Sequence, residues 1–284
     1  MKEATRYINR DLTFFDTHAH LYDGRFAQEG ISPEDMLRNA AEAGVRRILI
    51  PADSLESSHK AVAFARDYGG NSGVELYSSV GVHPHEASSW NEELKAELYK
   101  LLSNRKENKI RAIGEIGLDY HYDFSPRDIQ RRVYEEQLLM ALELDIPIIL
   151  HEREAVGDSM DILRRFYKAG KLRDNVGVCH CCSCSPEIAL ELVKMGFHIG
   201  FDGPITFKNN KNTPAVCAAV PLERIVIETD SPYLTPAPNR GLTNEPCFVP
   251  FVLEKICEIK GIDIEEAAKT VMQNSLTLYE LTEE

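Results

Sequence analysis

A chain of 284 residues, 43% hydrophobic and 27% charged, has enough apolar material for a full core, which excludes a disordered protein. With 45 Asp and Glu against 32 Lys and Arg, the formal net charge is −13. That excludes a basic clamp holding nucleic acid by broad phosphate neutralisation, but not local phosphate chemistry at bound cations.

Short apolar runs follow one another at roughly 20–36 residue intervals, the pace of strand–helix repeats. The predicted strands are Thr13–Thr17, Arg47–Ile50, Leu76–Gly81, Ile110–Ile116, Ile146–Leu150, Val176–Cys179, Phe197–Phe201 and Arg224–Ile227. Their interiors are apolar rather than alternating, as parallel strands covered on both faces require. Between them, Ser32-Pro33, Ser125-Pro126, Ser185-Pro186 and Thr213-Pro214 each set a capping hydroxyl before a proline suited to the first helical turn. Ile129, Val133, Tyr134, Leu138, Ala141 and Leu142 share one helical face, and Asp263 with Glu266 reads as a capping box. Pro232–Asn244 reads as a functional loop after the last strand. The expected architecture is one (β/α)8 TIM barrel over 1–284, residues 1–10 being an N-terminal extension, with a doubly wound open sheet as the competing fold.

No apolar run approaches the ~18 residues of a membrane span, and MKEATRYINRDL lacks a signal peptide's apolar stretch. The seven cysteines are odd in number, and Cys179, Cys181, Cys182 and Cys184 are too close together for a secreted disulfide framework. A cytoplasmic protein with no membrane and no obligate protein partner is expected.

Polar chemistry collects at the strand ends. His18 and His20 sit just past the first strand, and one intervening residue aims both imidazoles to one side. His83 follows the third strand, Glu115 ends the fourth, His151 the fifth, His180 the sixth and Asp230 the eighth. In a closed barrel these ends open on one face, so residues more than two hundred positions apart meet in one pocket. Four to five imidazoles and two carboxylates suit Zn²⁺, Mn²⁺ or similar ions. The set exceeds what one tetrahedral ion needs, so two ions bridged by a carboxylate are expected, able to activate water and clamp a phosphoryl group. His59, His121 and His198 read as surface or packing residues, and His85 fits either role.

The ordered motifs Asp16-Thr17-His18-Ala19-His20-Leu21, Gly81-Val82-His83-Pro84-His85, Gly114-Glu115-Ile116-Gly117-Leu118-Asp119-Tyr120, Pro147-Ile148-Ile149-Leu150-His151-Glu152-Arg153 and Glu228-Thr229-Asp230-Ser231-Pro232, with the loop Arg240–Pro246, resemble the TatD family of metal-dependent hydrolases, within the wider amidohydrolase-type barrels. The resemblance spans roughly residues 11 to 280. It implies a deoxyribonuclease or related phosphodiesterase, trimming DNA ends with two divalent ions (Zn, Mn or Mg). It implies that His18, His20, Glu115 and Asp230 hold one ion and Glu115, His151 and His180 the other, with Asp230 also handling the attacking water and His83 and Arg153 facing the scissile phosphate. The rival readings are an amide or ester hydrolase, for example an aminoacyl-tRNA deacylase, and a non-catalytic metal-binding scaffold.

The sequence departs from the family at His180-Cys181-Cys182-Ser183-Cys184, where Cys182 and Cys184 replace an aromatic residue and a glycine. The thiols are expected to pack as small hydrophobes, the alternative being a redox-sensitive or soft-metal rim. Glu228, Asp119 and Asn244 are expected to steer ligands or order loops. Trp90 reads as a rim-packing residue, with base stacking as its other role.

Overall fold

Phe14–Asp16 (β1), Val45–Ile50 (β2), Glu75–Val80 (β3), Ile110–Asp119 (β4), Ile148–Arg153 (β5), Gly177–Cys179 (β6), Phe197–Phe201 (β7) and Ile225–Ile227 (β8) pair in chain order, every neighbour parallel. The computed structural model describes residues 4–7, 11–70 and 72–282. The ends of β8 and β1 meet: Thr17 N and Oγ1 both donate to Ile227 O, at 3.1 and 3.0 Å, and His20 N donates to Ser231 O at 2.8 Å. An open doubly wound sheet would reverse its strand order partway, so the sequential order identifies the barrel. No helix among the described residues is long and apolar enough to cross a membrane.

Alternate strand residues serve two cores, which is why the strands are apolar throughout. Phe15, Leu49, Ala112, Ile149, Val178 and Val226 pack together with Leu278 and Tyr279, whose hydroxyl donates to Thr17 O at 3.1 Å. Their neighbours Phe14, Ile48, Ile148, Cys179 and Ile225 belong to the larger core beneath the helices. Residues in register with the inner set (His151 after Ile149, His180 after Val178, Glu228 after Val226) therefore point toward the barrel mouth.

Ten helices among the described residues wrap the barrel: Gly24–Gln28 (α1), Pro33–Glu42 (α2), Leu55–Tyr68 (α3), Glu92–Ser103 (α4), Arg127–Glu143 (α5), Val156–Lys168 (α6), Pro186–Lys194 (α7), Asn212–Ala219 (α8), Val249–Lys260 (α9) and Ile264–Leu278 (α10). Ser32 and Ser185 cap α2 and α7 through their side chains, as expected, and Asp263 caps α10 by accepting the Glu265 and Glu266 N–H groups, its own half of the expected box. Ser125 and Thr213 do not act as caps. Pro126 occupies the cap position of α5, while Ser125 Oγ donates to His85 O at 2.8 Å and accepts from Ser88 N at 3.0 Å. Thr213 lies inside α8, its N–H donating to Asn210 Oδ1. Of the expected N-terminal extension, residues 1–3 and 8–10 lie outside the described residues; Thr5 exchanges two hydrogen bonds with the Asn239 side chain.

Candidate metal centre

The barrel brings Glu115 of β4 into the middle of the expected ligand set and divides its two oxygens. Oε1 lies 3.3 Å from His18 Nε2 and 3.5 Å from His20 Nε2, and both imidazoles also face Asp230 Oδ1, at 3.6 and 3.3 Å. Oε2 lies 3.0 Å from His180 Nε2 and 3.6 Å from His151 Nδ1. Three overlapping groups, each with ligand atoms within 4.8 Å of one another, are able to hold a metal: His18, Glu115 and His180; His18, His20 and Asp230; and His83, Glu115 and His151. All six expected metal ligands thus meet, and His83 joins them. His83 is expected to face the scissile phosphate, and it stands beside the ligands without losing that role. Its Nδ1 accepts the His85 N–H at 3.1 Å, which leaves Nε2 for the site.

The donor set fits a cation. His18 is completely buried, yet neither of its ring nitrogens makes a hydrogen bond, and His180 Nδ1 also lacks one. Buried polar atoms are costly to leave unpaired, and an ion supplies the missing partner. Burial, then the neighbouring His180, pulls His18 down to about 4, so its lone pair is free at neutral pH. For His20 and His151, burial alone would lower the pKa. The Asp230 and Glu115 carboxylates outweigh it at His20, and Asp119 and Glu115 at His151, raising each to about 9. Burial works against ionisation of Glu115 too, but His18 and His180 hold it well below the usual carboxylate range; at Asp230 the His20 hydrogen bond likewise outweighs burial and lowers the carboxyl. The site sets buried carboxylates against imidazolium rings at His20 and His151, whose protons a divalent cation would displace.

Around the ligands lies a layer that fixes their orientation. Asp119 Oδ2 accepts from His151 Nε2 at 3.2 Å and His85 Nε2 at 2.9 Å, which settles the role of His85. Asp16 Oδ1 accepts from the backbone N–H of His18 and Thr229, and its Oδ2 from Thr229 Oγ1, tying the β1 and β8 ends together beneath His18 and Asp230. Glu228 Oε1 accepts the Cys181 N–H and lies 3.9 Å from His180 Nδ1. A side chain at Gly200 would place its Cβ 2.5 Å from Glu228 Oε2, so only glycine leaves room for that carboxylate. Asn244 Nδ2 donates to Thr229 O and Tyr233 O, at 2.8 and 2.6 Å, and orders the loop after β8. Asp202, buried beyond β7 with Oδ2 unpartnered, was missed in the sequence; burial raises it well above the carboxylate range.

Arg153 ends β5, two residues from His151 and so on the same side of the strand, exposed, with its guanidinium 4.9 Å over the Tyr122 ring. Trp90 is buried and donates to Glu136 Oε2 at 2.9 Å, a packing role. His59 is exposed, His121 pairs with Glu154 on the surface, and His198 is buried in β7. Cys179, Cys182 and Cys184 are buried, with Cys182 Sγ 3.2 Å from Cys184 Sγ, as the packing reading expects. The residue with positive φ in this run is Cys181, at 43°, not Cys184, so the position of the absent glycine carries no left-handed strain.

The closed barrel and the carboxylate–imidazole cluster at its mouth define a metal-dependent hydrolase. The family model described as TatD related DNase matches residues 15–280, and the chain belongs to that family. It is 38% identical to the uncharacterized metal-dependent hydrolase YabD of Bacillus subtilis, over 94% of this chain and 99% of the relative. It is 35% identical to the 3'-5' ssDNA/RNA exonuclease TatD of Cronobacter sakazakii, over 87% and 91%. The solved structure of YjjV, a TatD homologue from Escherichia coli K12, superposes with a TM-score of 0.84 at 30% identity, covering 96% of this chain and all of that one.

Proposed function

We propose that this chain hydrolyses phosphodiester bonds of nucleic acids, trimming DNA ends as a deoxyribonuclease. The observation that carries the reading is the division of Glu115: one oxygen faces His18 and His20, whose rings also meet Asp230, and the other faces His151 and His180. In this reading His18, His20, Glu115 and Asp230 hold one divalent ion, and Glu115, His151 and His180 hold a second, each Zn²⁺, Mn²⁺ or Mg²⁺. Two such ions bound there acidify a water and offset the charge that builds on the phosphoryl oxygens. Asp230, held ionised by His20, accepts the proton of the attacking water. His83, kept neutral by burial ahead of its neighbour His151, and the cationic Arg153 face the phosphate. The exonuclease relative supports a nucleic-acid substrate. All seven cysteines are free, which supports a reducing compartment such as the cytoplasm.

A substrate panel tests the reading: a DNA oligonucleotide, a model phosphodiester, a carboxylic ester and an aminoacyl-tRNA, each with Mg²⁺, Mn²⁺ or Zn²⁺. Metal-dependent cleavage of the first two, abolished by chelation, is the expected result. Turnover of only the carboxylic esters transfers the site to acyl chemistry, and no turnover at all leaves a metal-binding scaffold.

A further inference from the structure

Tyr122 and Phe124, in the loop between β4 and α5, are 47% and 68% exposed, more than any other aromatic side chain among the described residues. Large rings left in water on a mobile loop need no explanation, but this loop is pinned. Asp119 Oδ1 accepts from the backbone N–H of both His121 and Tyr122 at 3.0 Å. Gln130 Nε2 donates to Asp119 O and Ser125 O, at 3.1 and 2.8 Å, and Ser125 Oγ fastens the far end to His85 O. The fold therefore holds the two rings outward.

The rings also continue the candidate centre rather than standing apart from it. They stack on each other at 5.3 Å with 21° between planes, and His85 meets Tyr122 and Phe124 edge-on, at 5.3 and 4.9 Å. His85 in turn shares Asp119 Oδ2 with His151, and the Arg153 guanidinium lies over Tyr122. Tyr122 carries the Arg153 guanidinium and covers one side of Phe124, whose remaining face is left open one side-chain layer from the ligands.

We propose that Tyr122 and Phe124 form a stacking wall for a nucleobase next to the scissile phosphate, with Phe124 as the surface the base meets. This rests on the phosphodiesterase reading and adds to it the residues that hold the base. Every base has a π-face, so such a wall is tolerant of sequence, and it accepts only a base released from its duplex partner. Across the mouth, Tyr233 is engaged: Arg25 lies 4.6 Å over its ring and its hydroxyl donates to Asp23 Oδ2 at 2.6 Å. The wall is accordingly one-sided, and one base position dominates.

An abasic scan tests it. A single abasic residue is moved through a single-stranded DNA hexamer cleaved by the Mn²⁺-loaded enzyme. KM rises about tenfold or more at one position beside the cut, and far less elsewhere. Phe124→Ala flattens the scan by raising KM for the intact strand to the abasic value, and Phe124→Trp restores the contrast. Truncation of so exposed a ring does not threaten the fold. A scan without a sensitive position, or one that keeps its contrast in Phe124→Ala, overturns the wall and leaves the phosphodiesterase reading standing. Failure of the wild type to cut the intact hexamer overturns both.

Discussion

Asp119 Oδ2 accepts a hydrogen bond from His151 Nε2 at 3.2 Å, on the opposite side of the ring from Glu115. Once a cation displaces the Nδ1 proton, this bond would keep the remaining proton on Nε2 and leave the Nδ1 lone pair facing Glu115, 3.6 Å away. In Asp119→Asn, the amide oxygen still serves the His121 and Tyr122 N–H groups, but an NH₂ then confronts His151 and His85. The tautomer of His151 reverses and a proton occupies the ligand position. Metal affinity or activity is expected to fall about 10–100-fold with little change in thermal stability, as outer-layer substitutions at metal sites do. Metal titration with a melting curve checks this; unchanged affinity would remove Asp119 from the site.

Glu115→Gln removes the charge that both halves of the cluster share and places an amide against four imidazoles. Its loss of metal affinity should exceed that of Asp119→Asn, and turnover should fall by more than about a hundredfold. Metal content by mass spectrometry and kcat on a model phosphodiester read the two effects separately. Full activity in this variant would exclude the site assignment.

Metal uptake must displace protons. Without an ion, His20 and His151 are raised to about 9, so both rings are protonated at neutral pH, whereas ligation needs their lone pairs. Affinity should climb as pH rises from 6 and level off near 9, with release of about two protons per loaded site at pH 7. Calorimetry in buffers of different ionisation enthalpy counts them. Affinity independent of pH across that window would show that these imidazoles are not displaced.

His198 supplies an acid-sensitive contribution outside the site. It is buried in β7, and burial, with Arg224 adding to it, lowers its pKa to about 4 from the ordinary 6.5. Below 6.5 the unfolded chain takes up a proton that the folded chain refuses until about 4, so stability is complete above 6.5 and declines as pH falls through that range. The loss is about 3 kcal/mol for this group. His198→Leu should flatten the denaturation midpoint against pH between 6.5 and 4 relative to the wild type; parallel profiles would contradict it.

Much of this was legible in the chain because strand closure needs only short apolar runs, and β7 falls on the predicted Phe197–Phe201. Other boundaries moved for physical reasons. β4 runs three residues past Ile116 because Gly117, at φ 139°, lets pairing with His151 continue where another residue's Cβ would strike the His151 carbonyl. β5 extends to Arg153 for the same reason, which puts His151 and Arg153 inside the strand rather than after it. The ligands were readable because each lies at or near the carboxyl end of an apolar run predicted as a strand. Of the carboxylates behind them, Asp119 was expected to steer a ligand, whereas the reach of Asp16 across to Thr229 is encoded by no spacing in the chain.

Anomalous diffraction from crystals loaded with Mn²⁺ or Zn²⁺ tests whether Glu115 divides its oxygens between two cations. Two peaks about 3.5–4 Å apart are expected, one among His18, His20 and Asp230 and the other beside His151 and His180, with a Glu115 oxygen on each. A single peak under saturating metal, or two peaks that do not share Glu115, would contradict it.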